Sequence, residues 1–201
     1  MTSPVATFSA AFFYTDVDDF QETSFSGASF DTINSQVNVI GAEASLFWKL
    51  SDNFTLDTAW TYADATIDAG TFLIGGVPTA FPDRSPAQSP KWTGHFGMLT
   101  DWQLTDDWDF TGSAYFRHRS SMIHQFVETF RSDSLSTLDI TIGVANPANG
   151  LAFSIIGTNL TNEISADFSG PPASAGIVPP DVRADSPGRF RTVLLQARLN
   201  F

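Results

Sequence analysis

Residues 189–201, Arg189-Phe190-Arg191-Thr192-Val193-Leu194-Leu195-Gln196-Ala197-Arg198-Leu199-Asn200-Phe201, decide the fold. Val193, Leu195, Ala197, Leu199 and Phe201 fall on one side of an extended chain. Thr192, Gln196, Arg198 and Asn200 fall on the other, with Leu194 the exception. A period of two marks a β-strand with one apolar and one polar face. A soluble sandwich and a membrane-spanning barrel both use such strands, so the rest of the chain has to choose between them.

The same alternation recurs upstream. Residues 5–15 set Phe8, Phe12 and Tyr14 on one face. Residues 37–50 set Ile40, Leu46, Trp48 and Leu50 against Glu43 and Lys49, and 54–62 set Leu56, Trp60 and Tyr62 against Asp57. Residues 92–104 oppose Trp92, Phe96, Met98 and Trp102 to His95 and Asp101. Residues 108–117, 138–144 and 151–160 continue the pattern, with Asp109, Arg117 and Asp139 on the polar side. Helical periodicity is absent. The connections 51–53, 105–107 and 146–150 are tight polar turns, whereas 16–36, 65–91, 119–133 and the Pro/Gly/Ala-rich stretch to Gly188 read as long loops. The expectation is an all-β, antiparallel chain of about eight strands.

Composition narrows the class. A formal net charge of -12 with only 10 Lys+Arg argues against a nucleic-acid partner, which needs a basic surface. There is no cysteine, hence no disulfide framework and no thiolate chemistry. Charged residues make up 16%, below the quarter typical of soluble domains, while 19 Phe and 5 Trp raise the aromatic share. No apolar run approaches the ~20 residues of a membrane helix. Met1 opens no signal peptide, as expected of a fragment or a trimmed chain.

Strand length and loop asymmetry favour the membrane. Strands of ~9 to 11 residues cross the hydrocarbon at a tilt, with short periplasmic turns at one end and long extracellular loops at the other. Trp48, Phe54, Trp102, Trp108 and Phe201 all fall at the short-turn end, where an interfacial aromatic girdle is expected. Glu43, Lys49, Asp57, His95, Asp101, Asp139 and Arg198 then face a wet lumen. A soluble sandwich would place the same aromatics in its core and these ions in solvent.

The motifs resemble one family, the TonB-dependent outer-membrane receptors, in the C-terminal part of the β-barrel. They are the aromatic-to-acidic run from Phe12 to Gln21, Ile40-Gly41-Ala42-Glu43-Ala44, and Pro187-Gly188-Arg189 before a strand ending in Phe201. The most specific is Asn159-Leu160-Thr161-Asn162-Glu163, about forty residues before that end. The resemblance implies a 22-stranded antiparallel transmembrane β-barrel filled by a plug, of which residues 1–201 supply about eight C-terminal strands, without plug or TonB box. It further implies a bacterial outer-membrane location, outer-membrane lipid and lipopolysaccharide as surroundings, and a TonB energy-transducing complex acting through the missing N-terminal part. The implied ligand is a scarce nutrient such as a ferric siderophore. A small self-closed, non-transporting barrel of eight strands is the alternative that bilayer physics also allows.

No chemistry-bearing constellation emerges, and neither an enzyme nor a cofactor is expected. Ser120, His118 and Asp109 lack the context of a catalytic triad, and His95, His118 and His124 lack a convincing metal spacing. Asp16, Asp18 and Asp19 begin like a calcium loop that has neither its central Gly nor its closing Glu. Arg117, His118, Arg119 and His124, where the fifth strand meets a long loop, form a cationic group suited to an anionic ligand such as a ferric chelate. Lumen carboxylates or lipopolysaccharide phosphates are the competing partners for it.

Overall fold

The computed structural model describes residues 5–25, 30–125, 131–170 and 184–200. Eight long strands form one antiparallel meander in which every neighbour in the sheet is the next long strand in the chain. They are β1 (Val5–Phe25), β2 (Phe30–Lys49), β3 (Phe54–Ile67), β6 (Trp92–Gln103), β7 (Asp109–Arg119), β10 (Leu135–Asn146), β11 (Leu151–Thr158) and β14 (Thr192–Leu199). Three small ladders lie between them: β4 (Gly70–Ile74) with β5 (Val77–Phe81), β8 (Met122–Ile123) with β9 (Arg131–Ser132), and β12 (Ala166–Gly170) with β13 (Ala184–Pro187). Among the described residues β1 and β14 do not pair, so the sheet is part of a wall. The self-closed eight-stranded barrel would need that seam and is not what the chain forms.

The alternation read from the sequence becomes two faces. Register carries one face without a break from Phe12 to Ala42, Tyr62 and Trp92, and on the far side from Ile142 to Ile155 and Leu195. This outer face is bare: Phe12 is 89% and Leu195 82% exposed. Water does not tolerate so broad an apolar surface, whereas lipid does. Among the described residues no helix is long and apolar enough to cross a membrane; the strands do the crossing.

Two of the tight turns are copies of one device. In Leu50-Ser51-Asp52-Asn53-Phe54 the Ser51 hydroxyl accepts the N–H groups of Asn53 and Phe54 at 3.2 and 3.1 Å, and Leu50 N–H donates to Phe54 O at 2.9 Å. In Leu104-Thr105-Asp106-Asp107-Trp108 the Thr105 hydroxyl accepts from Asp107 and Trp108 at 3.3 and 3.1 Å, and Leu104 N–H donates to Trp108 O at 2.8 Å. A Trp, Trp48 or Trp102, precedes each turn by the same spacing.

The long-loop end departs from expectation. Within 16–36, expected as a loop, residues 16–25 and 30–36 continue β1 and β2 as a paired ladder past an irregularity between Val17 and Phe20, where Asp19 has φ +54°. Polar side chains clasp across it: Gln36 donates to Asp16 at 3.2 Å, and the Thr23 and Thr32 hydroxyls meet at 3.1 Å. Once the hairpin has left the bilayer, its exposed face needs no apolar side chains and its covered face carries only Ile33 and Val37 as buried apolar ones, so the alternation that reveals the other strands fades. Residues 65–91, also expected as a loop, contain the β4–β5 hairpin. Its turn is Gly75-Gly76 at φ +57° and +81°, the left-handed geometry that two-residue hairpin turns need.

Burial is concentrated at this end. Ile33, Val37, Ile67 and Ile123 are the buried apolar side chains among the described residues. Beside them Arg84 Nη2 meets Glu22 Oε2 at 2.8 Å, both side chains at least nine-tenths buried, and Glu22 Oε1 accepts Ala87 N–H at 2.7 Å. Residues 82–91 are thereby tied to the β1–β2 hairpin.

Candidate functional site

The second face of the sheet carries the ions. Strand parity and pairing put Glu43, Lys49, Asp57, His95, Asp101, Asp139 and Arg198 on it together, through pairs such as Glu43 with Thr61, His95 with Arg117 and Ala152 with Arg198. A continuous polar chain crosses four strands. Asp57 Oδ2 lies 3.4 Å from His95 Nε2, the His95 ring lies 6.1 Å from the Tyr115 ring, and Arg117 lies over Tyr115 at 5.2 Å. Arg117 in turn contacts Asp139 directly, and Asp139 Oδ1 accepts Asn159 N–H at 2.8 Å. Gly97 makes the stack possible: a Cβ there would collide with the Tyr115 ring.

The Asn159–Glu163 run closes the upper end of this chain of contacts. Asn159, buried and at φ +48°, donates from Nδ2 to Glu163 O and Arg189 O, both at 2.8 Å. Thr161 donates to Ser136 O at 2.9 Å, and Glu163 Oε2 accepts Ser136 N–H at 2.6 Å. These bonds hold the end of β11, the start of β10 and the approach to β14 together, so the motif is a structural clasp.

The four residues expected as a cationic ligand group do not converge. Successive side chains on β7 alternate faces, so Arg117 and Arg119 project to the inner side while His118 projects outward. His118 Nδ1 lies 2.9 Å from Ser136 Oγ, and its ring 6.3 Å from that of Trp60. Arg119 is engaged between loops: Nη2 donates to Ser165 Oγ at 2.6 Å and Nη1 to Ser132 Oγ at 3.2 Å. His124 is buried beyond the strand. Asp109 lies at the opposite end of β7 from His118 and Ser120, which breaks the paper triad, and no group of three or more His, Asp or Glu among the described residues is placed to hold a metal.

Trp48, Phe54, Trp102 and Trp108 cluster at the short-turn end, with Phe54 edge-on to Trp102 at 5.3 Å; Phe201 lies outside the described residues. Sequence reading missed the matching upper row, Trp60, Tyr62 and Trp92, in which Tyr62 and Trp92 lie 4.9 Å apart. Its signal was spacing. At about 3.3 Å per residue, Trp92 to Trp102 runs about 33 Å along the strand. At the usual tilt that rises about 25 Å, the height of a barrel's apolar band. Just above, Lys91 Nζ meets Asp64 Oδ1 at 2.7 Å, and that hydrogen bond holds the lysine's pKa above its ordinary value against a smaller opposing cost of desolvation.

The family described as TonB dependent receptor-like, beta-barrel, matches residues 3–162. The chain belongs to that family. Barrels of this family are bacterial outer-membrane proteins, and the outer membrane is where this chain resides. Three solved structures are similar in fold. The ferric yersiniabactin uptake receptor FyuA from Yersinia pestis has a TM-score of 0.75 at 15% identity, covering 100% of this chain and 28% of that one. The ferric-catecholate import receptor Fiu from K12 E. coli has a TM-score of 0.64 at 21% identity, with 98% and 25% covered. The copper transporter OprC has a TM-score of 0.63 at 17% identity, with 98% and 29% covered. This receptor chain therefore spans under a third of the length of these structures. No curated protein matches it.

Proposed function

We propose that residues 1–201 form the C-terminal portion of the barrel of a receptor that imports a scarce nutrient, a ferric siderophore, with energy delivered by the TonB complex through an N-terminal part. The observation that carries this reading is the inner wall: a continuous chain of ionic and aromatic contacts from Asp57 to Asn159, backed by a face suited to lipid. Uptake of metal chelates by the FyuA and Fiu proteins, which share the fold, supports the ligand class. In this reading Glu43, Asp57, His95, Asp139 and Arg198 line the lumen, Arg117 is the cation best placed to meet an anionic ligand, and lipid with lipopolysaccharide surrounds the aromatic rows. No catalytic step is involved.

The test is uptake. A strain lacking its own copy of the gene, complemented with the natural protein, is offered radiolabelled ferric hydroxamate, catecholate and mixed siderophores, with copper and cobalamin alongside. Accumulation of one ferric chelate that vanishes when TonB is deleted is the expected result. Accumulation of copper alone would move the ligand assignment, and TonB-independent or absent uptake would favour a non-transporting barrel.

A further inference from the structure

Residues 70–82 carry no charge in a chain with 22 Asp+Glu and 10 Lys+Arg, and Thr71 and Thr79 are their only polar side chains. They contain the β4–β5 hairpin, which follows the upper end of β3 beyond the level of Trp60 and Tyr62. Pairing sets Phe72, Ile74, Val77 and Phe81 on one face and Leu73 and Pro78 on the other. Neither face is rewarded by water: Val77 is 62% and Leu73 65% exposed. An apolar surface that folding leaves open marks a place of contact.

The first of these faces belongs to the lumen side of the wall. Val37 and Ile67 are register partners and share the parity of Glu43 and Asp57. Ile33 shares the parity of Val37 and pairs with Glu22, which holds Arg84. The Arg84 guanidinium lies 5.5 Å from the centre of the Phe81 ring, and the Phe72 ring lies 6.1 Å from that of Phe81. Both ends of the hairpin are tied: Ala69 N–H donates to Asp83 Oδ1 at 2.7 Å at the root, and Gly75 N–H to Asp31 Oδ1 at 2.9 Å at the tip. A fixed apolar strip of this kind loses little freedom when something settles on it.

A solute entering from the long-loop end meets this strip before the ionic ladder that runs from Asp57 to Asn159. A wholly polar solute gains nothing from apolar side chains, whereas an apolar portion removes both surfaces from water. We propose that the imported ligand is amphiphilic: an apolar appendage lies against Phe72, Ile74 and Val77, and the polar, metal-bearing head faces the ionic wall. The inference rests on the uptake reading above and adds the second half of the ligand to it.

The natural protein, purified from its outer membrane in detergent, is compared with Ile74→Thr/Val77→Thr and with Leu73→Thr. Threonine keeps the branching at Cβ that strands favour in place of Ile and Val. The probes are a ferric hydroxamate and a ferric catecholate, each made plain and with an octanoyl tail, with binding read by calorimetry and uptake in cells carrying the same variants. The expected result is that one head group is bound and taken up, and that its tailed form binds on the order of tenfold tighter, as burial of about two methylenes gives. The double variant should lose most of that preference while holding the plain form as before, and Leu73→Thr should keep it. Equal binding of plain and tailed forms by the parent would overturn the proposal and leave the uptake reading standing. A preference that survives the double variant would put the tail in detergent or lipid and would also overturn it. So would a loss matched in Leu73→Thr, or faster proteolysis of β4–β5 in the double variant, since the strip would then serve only to pack the loops. Failure of both head groups, plain and tailed, to bind or enter would bring down the uptake reading and this inference with it.

Discussion

The wall and the structure above it solve opposite problems with one chain. From β2 to β14 the wall exposes its large apolar side chains and buries almost none, because lipid stands where a soluble protein would put a core. Above it, the β1–β2 extension and residues 82–91 bury Ile33, Val37 and Ile67 around the Glu22–Arg84 pair, since they must hold together in water. The lesson is that "inside" in this protein is defined by the local solvent, and that the same substitution should have different consequences on either side of the upper aromatic row.

The sharpest way to break that division is Arg84→Met, which leaves Glu22 as a buried charge without its partner. Removing one member of such a pair costs about 3–5 kcal/mol. Hydrogen exchange should show the cost confined to residues 16–36 and 67–91, with β10, β11 and β14 as protected as before. Uniform loss of protection would mean that wall and upper structure form one cooperative unit.

Next comes Phe96→Arg, in the lipid-facing row. A charge near the middle of the bilayer costs about 2–4 kcal/mol in a barrel, to be read as a shift in urea-dependent folding into vesicles. Thr111→Arg, on the inner face of the adjoining strand, should cost far less. Equal penalties would erase the distinction between the faces.

Gly76→Ala is expected to cost about 1–2 kcal/mol, since a Cβ is placed on a left-handed residue, and to loosen only β4 and β5 in limited proteolysis. Arg117→Gln removes an ion pair whose arginine side is half exposed, worth at most about 1 kcal/mol. Its larger signature should be in ligand uptake, and an unchanged uptake profile would remove Arg117 from the ligand path.

The smallest effect concerns pH. Lys91 has a folded-state pKa raised by Asp64, so its contribution is complete below the ordinary lysine value of 10.5 and is lost as pH rises through the higher folded value. Stability should therefore be flat in this respect across the neutral range and fall only in strong alkali. Asp64→Asn should abolish that alkaline decline.

Legibility in the sequence followed the same division. Strands that touch lipid advertise themselves, because the bilayer demands an apolar residue at every second position; the run through Leu138, Ile140, Ile142 and Val144 is legible for that reason. The β1–β2 extension was hidden because water asks nothing of either face of Asp16, Asp18, Gln21 or Thr23. Glu22 and Arg84 stand far apart in the chain, and no local pattern joins them. The face of His118 was available all along: it shares parity with Phe116 and Ala114, and counting by twos places it on the lipid side. Asn159-Leu160-Thr161-Asn162-Glu163 was recognised by resemblance alone, and only its hydrogen bonds reveal it as a clasp.

The twin turns at Ser51 and Thr105 make the hairpin a repeatable unit. In a meander whose spatial order is its chain order, a hairpin can be copied or deleted without rethreading any connection, and each copy brings its own turn and its own Trp. Circumference then becomes a quantity that gene duplication can adjust in steps of two strands. The recurrence of Trp, Leu, a hydroxyl residue, Asp and an aromatic at matching offsets is what such a step would leave behind.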